Sequence, residues 1–273
     1  MLCVVSLNTT NQNIRNVHEE DTLKRKKINH QTSNNQNYYS PNDLLTMEIG
    51  LPKYTRNIVR EFHSQIDSEI KKDEHNVLDF GAGTGALAQI WLDDYAIKPD
   101  CLEIDPELKS ILKNKGFTVF SNLGEINKQY DFVYTSNVLE HIKDDREALD
   151  LIAGKMKDKS KIAIYVPAFP ILFSGLDYKV GHFRRYTKKE LRKKVSASGF
   201  SIIQIQYSDS VGFFGTLILK LFRIDTGKAL GSEGFQKFYD SILHPISMRV
   251  DKLGMKKVLG KNLLLIATKI PSQ

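Results

Sequence analysis

The chain has 273 residues, 41% hydrophobic, 26% charged and 10% aromatic, which is enough apolar material for one substantial core. Its formal charge of +7 and pI near 9.1 come from basic residues spread along the chain rather than gathered in a block, so nucleic acid is not expected as a partner. Cys3 and Cys101 lie far apart and no Cys/His ligand spacing occurs, so neither a disulfide framework nor a metal site is predicted.

In chain order, MLCVVSL is too short for a signal-peptide core and has no basic residues before it, so a cytoplasmic protein is expected. Residues 1–37, rich in Asn, Thr, Gln and Lys, are expected to be disordered, and a single domain is expected over 38–273. Its first part, 38–72, reads as a helical cover: Leu44, Leu45 and Ile49, then Ile58, Phe62, Ile66 and Ile70, recur at helical spacing. Strand-like runs follow at 76–80, 99–103, 117–120, 130–135 and 161–166, alternating with helical segments such as 106–115 and 144–157. That alternation predicts right-handed βαβ units, an α/β fold with a mainly parallel sheet covered on both faces. Ligands of such sheets bind at the carboxyl ends of the strands.

There the sequence reads DFGAGTG, residues 79–85. Glycine permits the left-handed backbone of a sharp turn and lets a ligand approach the main chain, while the helix that follows offers free N–H groups. Two ligands commonly use such a turn, the pyrophosphate of a dinucleotide and the amino-acid end of S-adenosylmethionine. Gly81, Gly83 and Ala86 with Glu103 further on fit the first, which would make the protein a nicotinamide-dependent oxidoreductase. Asp79 at the strand end, within reach of an ammonium group, and Gly85, completing DxGxGxG, favour the second.

DFGAGTG, LEIDPEL at 102–108 and YDFVYTSNVLEHI at 130–142 together resemble the class I S-adenosylmethionine-dependent methyltransferases. The resemblance implies a Rossmann-like sheet of seven strands whose last strand, 261–268, is antiparallel and lies beside strand 201–207. It also implies a methyl transfer to an oxygen or nitrogen of a small acceptor. Carried onto this chain, it places Asp79, Gly81, Ala82, Gly83 and Gly85 at the methionine end of the cofactor. Glu103 and Ile104 fall at the ribose, where Glu103 would accept from both hydroxyls; Asp105 is the competing acid. Asn122 and Leu123 fall at the adenine, where the family's acid is missing, and Ser136 and Asn137 at the end of the fourth strand.

The stretch VPAFPILFSGLDYKVGHFRRYTKKEL, 166–191, resembles a subgroup of bacterial-type methyltransferases that includes enzymes acting on sugars or lipid-linked intermediates. A loop after the fifth strand passes over the carboxyl edge of the sheet, so Asp177, His182 and Tyr186 are candidate catalytic residues and Arg184 and Arg185 candidate substrate ligands. Histidine exchanges protons near neutral pH, so His182 is the first candidate base, with Asp177 to orient it and His141 of LEHI in reserve. Because Arg184 and Arg185 point to opposite sides of an extended stretch, one is expected to reach substrate and the other to tie the loop down. Residues 208–258 read as a helical insertion before the last strand. Within it VGFFGTLILKLFRI, 211–224, is too short to span a bilayer; it either lies buried over the substrate cavity or makes a peripheral membrane contact. A non-catalytic protein of the same fold, serving as a membrane or partner subunit, is the remaining alternative.

Overall fold

The structure, a computed structural model, describes residues 50–66, 76–222 and 232–271. The tail 1–37, the helix expected around Leu44–Ile49 and the Ile70 end of the next one lie outside them.

Helix α1 (Pro52–His63) opens on a proline whose missing N–H costs nothing in the first turn, and its buried Thr55, Ile58, Val59 and Phe62 form one stripe facing the sheet. Strands β1 (Val77–Phe80), β2 (Asp100–Leu102), β3 (Val119–Phe120), β4 (Tyr130–Ser136), β5 (Met156–Pro167), β6 (Phe200–Ser208) and β7 (Asn262–Lys269) form one seven-stranded sheet. Their order is β3-β2-β1-β4-β5-β7-β6. All pairs are parallel except β7 with β5 and with β6, so β7 is the antiparallel strand and lies beside β6, as the resemblance implied. Between β1 and β4 the order reverses, and a crevice opens there at the carboxyl edge.

Helices α2 (Ala86–Tyr95), α3 (Pro106–Asn114), α4 (Asp145–Gly154) and α6 (Lys188–Ala197), with the short α5 (Gly175–Lys179), connect the strands. Burial on both faces explains the nearly unbroken apolar run of β7. Leu263, Leu265 and Ala267 join Leu78, Val133, Ile164 and Leu191 in one core, while Leu264 and Ile266 join Ile58, Phe62, Trp91 and Tyr134 in the other. In α6 the basic run keeps its charges outward and buries Leu191 and Val195. The helix expected over 144–157 stops at Gly154, because Met156 already pairs with Tyr130 as the start of β5. The third strand is shorter than its apolar run for lack of a further partner beyond β2, which it pairs only through Val119 and Phe120.

Between β6 and β7 the chain forms α7 (Ser210–Leu221), α8 (Glu233–Phe238), one π turn (Tyr239–Leu243) and α9 (His244–Lys252). Asp209 holds these pieces together. It caps α7 at the Gly212 N–H (3.0 Å), accepts from Ser247 Oγ (3.0 Å) and the Tyr239 hydroxyl, and pairs with Lys261 (3.4 Å). Those donors and the Lys261 charge outweigh burial and keep its carboxyl below the usual range.

Candidate active site

The glycine loop follows β1 directly, and Gly81, Gly83 and Gly85 all have left-handed backbone, with φ of 82°, 58° and 83°. A Cβ at Gly81 would collide with Val138, and one at Gly85 would come within 2.6 Å of Leu112 Cδ2, so at both positions glycine serves turn and packing at once. The loop is tied to the next strand by N–H groups of Gly81 and Ala82 donating to the Leu102 carbonyl (2.9 and 3.1 Å). Asp79 is buried beneath it and accepts from the Tyr134 hydroxyl (3.0 Å).

Glu103 reaches back from the end of β2 across this loop. Its Oε2 accepts from Gly83 N–H (2.8 Å), and its Oε1 from the N–H groups of Ile104 (2.8 Å) and Asp105 (3.0 Å). Burial raises its pKa, opposed by those three donors. A carboxylate has about four acceptor positions, so one remains, on Oε2. One position is therefore left for an incoming hydrogen-bond donor, and a second would require Gly83 N–H to move aside. Asp105 uses its own side chain to cap α3, accepting from Glu107 and Leu108 N–H (2.9 and 3.0 Å), which leaves Glu103 as the acid facing the loop. Past β3, the Asn122 side-chain nitrogen donates to Glu125 Oε1 (2.8 Å), whose other oxygen accepts from Ser121 N–H (2.8 Å), so Glu125 orders the SNL turn. Leu123 packs against the core below. At the end of β4, Asn137 adopts left-handed backbone (φ 54°) and donates its N–H to the Tyr165 carbonyl (2.8 Å) and its side-chain amide to Ser136 Oγ (3.2 Å). A buried carboxylate with a remaining acceptor position, a second one under the loop, and a turn open only to glycine form a set of acceptors that suits the hydroxyls and ammonium group of S-adenosylmethionine.

On the other side of the crevice the GHFRRYT segment pairs with the end of β5 through Phe169 N–H to the Tyr186 carbonyl and Tyr186 N–H to the Pro167 carbonyl (both 2.9 Å). Asp177, at the start of α5, is buried there. It accepts from Ser174 N–H (2.8 Å) and Oγ (3.0 Å), pairs with Arg185 through Nε (2.8 Å) and an Nη (3.1 Å), and lies 2.7 Å from His182 Nδ1. Burial alone would raise its carboxyl, but the His182 and Arg185 partners hold it at about 2. His182 Nε2 points to Glu140 Oε1 at 3.7 Å, and the His182 ring meets the His141 ring edge-on with centroids 4.6 Å apart.

The two arginines do part to opposite sides, and both are engaged within the protein. Arg185 is buried on Asp177, while Arg184 pairs with Asp145 (2.9 Å) and donates to the Lys143 carbonyl (2.7 Å). Arg185 is the one that ties the loop down, and Arg184 is engaged by Asp145 at the loop's other side. Tyr186 is fully buried with its hydroxyl donated to Asp145 (2.7 Å), which burial and that carboxylate hold strongly in the protonated form; its place is structural.

Glu140 was not singled out by the sequence, where LEHI offered only His141. It is wholly buried, and burial pushes its carboxyl up to about 7 against the opposing pull of His182. A second missed group lies on the α1 face of β5, where Tyr54, Tyr165 and Asn262 join hands through 2.9–3.1 Å hydrogen bonds. Among the described residues no helix is long and apolar enough to cross a membrane.

Comparison with known proteins bears on this geometry. Residues 52–205 match the family model described as a methyltransferase domain, and the chain belongs to that family. It is an enzyme of the S-adenosylmethionine-dependent methyltransferase kind, which decides between the two ligands of the glycine loop and sets the nicotinamide reading aside. No curated protein matches in sequence. Of the solved structures, a SAM-dependent methyltransferase from Archaeoglobus fulgidus superposes with a TM-score of 0.53 at 22% identity, covering 78% of this chain and 92% of its own. A possible histamine N-methyltransferase from Thermotoga maritima gives 0.50 at 13%, covering 82% and 91%. The [4+2]-cyclase SpnF gives 0.50 at 14%, covering 81% of each chain. At these identities the likeness is one of fold.

Proposed function

We propose that the enzyme methylates an oxygen or nitrogen of a small acceptor that carries an apolar, lipid-like or sugar-linked portion. The observation that carries this reading is the Asp177–His182–Glu140 cluster at the carboxyl edge of the sheet, opposite the glycine loop. S-adenosylmethionine supplies an already activated methyl group, so the protein's work is to align the acceptor, exclude water and take its proton. The Glu140–His182 pair receives that proton, Asp177 fixes the imidazole by its Nδ1, and Arg185 fixes Asp177. Arg184 and Tyr186 brace the same loop through Asp145.

The apolar part of the acceptor is argued from α7. Its buried residues are the small Ser210, Gly212 and Thr216, while Phe214, Ile218 and Leu221, and Phe222 just beyond, are exposed. Lys220 donates to the carbonyls of Ile171 and Phe173 (2.5 and 2.7 Å), which brings this face against the loop that leads to His182. Exposed Ile171, Tyr178 and Phe183 extend the apolar surface on that loop, so the membrane-contact reading of 211–224 is preferred to the buried one. Incubation with radiolabelled S-adenosylmethionine in cell extract, followed by partition of the product between water and organic solvent, tests both parts. Label in a lipid-soluble hydroxyl or amine product supports the reading; label only in small water-soluble products overturns its apolar part.

A further inference from the structure

We infer that Glu140, His141 and His182 bind one divalent transition-metal ion at the acceptor side of the crevice. One ligand atom from each residue lies within 4.8 Å of the others. Around an ion with bonds of 2.0–2.2 Å such atoms stand roughly 3–3.5 Å apart, so closure by about an ångström completes the site, within the reach of side-chain rotation.

The first argument is the state of the buried groups. Both carboxylate oxygens of Glu140 and Nδ1 of His141 are buried and have no hydrogen-bond partner in the protein. A buried carboxylate without a partner costs several kcal/mol unless it is paired or coordinates a metal. A His182 base oriented by Asp177 draws on one Glu140 oxygen at 3.7 Å and leaves the other oxygen and His141 Nδ1 without a role, whereas a cation satisfies all of them. The second argument is the outer contacts. His182 is held at Nδ1 by Asp177 (2.7 Å), leaving Nε2 for an ion, and Asp177 is itself gripped by Arg185. The Gly181 backbone lies beside the His141 imidazole. A metal-bound histidine commonly makes such a second contact, to a carboxylate or a carbonyl, and it fixes both tautomer and ring orientation.

Two imidazoles and one carboxylate suit Zn2+, Fe2+, Co2+ or Ni2+ rather than Mg2+ or Ca2+. Three protein ligands leave further positions open to an acceptor heteroatom, as in catalytic rather than closed structural centres. This catalytic sense rests on the acceptor site proposed above; the binding itself does not. Sequence spacing concealed the set because two ligands sit in one turn after β4 and the third arrives from the loop after β5.

The test is titration of the chelator-stripped full chain with Co2+, followed by visible absorption and calorimetry, with Zn2+ as competitor. One equivalent should bind with a Kd in the micromolar range or tighter, and Glu140→Gln and His182→Ala should each weaken it about a hundredfold, while His63→Ala leaves it unchanged. S-adenosylmethionine affinity, measured on every variant, reports that the cofactor half remains folded. Absence of saturable binding in the folded wild-type chain overturns the site, as does full binding by a Glu140→Gln/His182→Ala double variant. If the ion binds but chelation leaves label transfer in extract unaltered, the site stands and its part in catalysis is overturned.

Discussion

Removing the Asp177 carboxylate tests how the acceptor loop is held. Asp177→Ala takes five contacts from a buried position: two from Ser174, two from Arg185 and one from His182. The largest loss falls on Arg185, which stays buried with only a long contact to the Ala168 carbonyl (3.5 Å). Breaking a buried ion pair from one side costs roughly 3–5 kcal/mol, and with each kcal/mol worth about 2–4 °C in a domain of this size, Tm should fall by about 6–20 °C. Replacing both partners with apolar residues, as in Asp177→Leu/Arg185→Met, removes the stranded charge and should recover most of that loss. Denaturant unfolding followed by circular dichroism gives the free energies, and unchanged m-values would show that the same transition is compared. A cost below about 1 kcal/mol for Asp177→Ala, or a double variant as unstable as the sum of its parts, would refute the claim that this pair anchors the loop.

Four other expectations follow from the same geometry. Glu103→Ala should weaken S-adenosylmethionine binding about ten- to a hundredfold by calorimetry, through lost charge-assisted hydrogen bonds and a freed Gly83; an equal loss in Asp105→Ala would instead point to that acid. His182→Ala should lower turnover about a hundredfold with cofactor affinity nearly intact, and a collapse of affinity would make the GHFRRYT loop a lid on the cofactor. Anionic liposomes should carry the protein upward in flotation, and Ile218→Asp together with Phe222→Asp should abolish this; flotation unaffected by the pair would remove α7 as the contact. Asp209 has a depressed folded-state pKa, so its stabilisation is complete above the ordinary carboxylate range and fades as pH falls through the folded value. Acid unfolding of Asp209→Asn should accordingly be less steep than that of the wild type, and identical acid limbs would contradict that assignment.

What the chain discloses on inspection is local. The short apolar runs of β4 and β5, buried on both faces, and the glycine turn with its left-handed angles are written in neighbouring residues, so their places could be read directly. Glu103 was legible for the same reason, 20 residues after Gly83 of a turn whose ligand requires an acid at the next strand end. Glu140 was not, because its meaning comes from His182, a partner brought in by a different loop. The arginines misled for a related cause. A pair of basic residues looks available until it is folded against Asp145, which lies far back in the sequence, and against Asp177 of the same loop. For α7 the composition left burial and membrane contact both open, and only the packing against α9 shows that its small residues face inward and its large ones outward.

The insertion of β7 between β5 and β6 bears on how the chain matures on the ribosome. The half of the sheet that carries the glycine loop, β1 to β4, pairs among strands that emerge one after another. The other half cannot do so. From the moment β6 is made until residues 262–269 follow, the facing edges of β5 and β6 have no partner between them, and synthesis at about 5–20 residues per second extends that interval over the whole helical stretch in between. During that time two open strand edges are exposed to neighbouring nascent chains, so the β5–β6 half of the sheet is the part that a holding chaperone would have to shield.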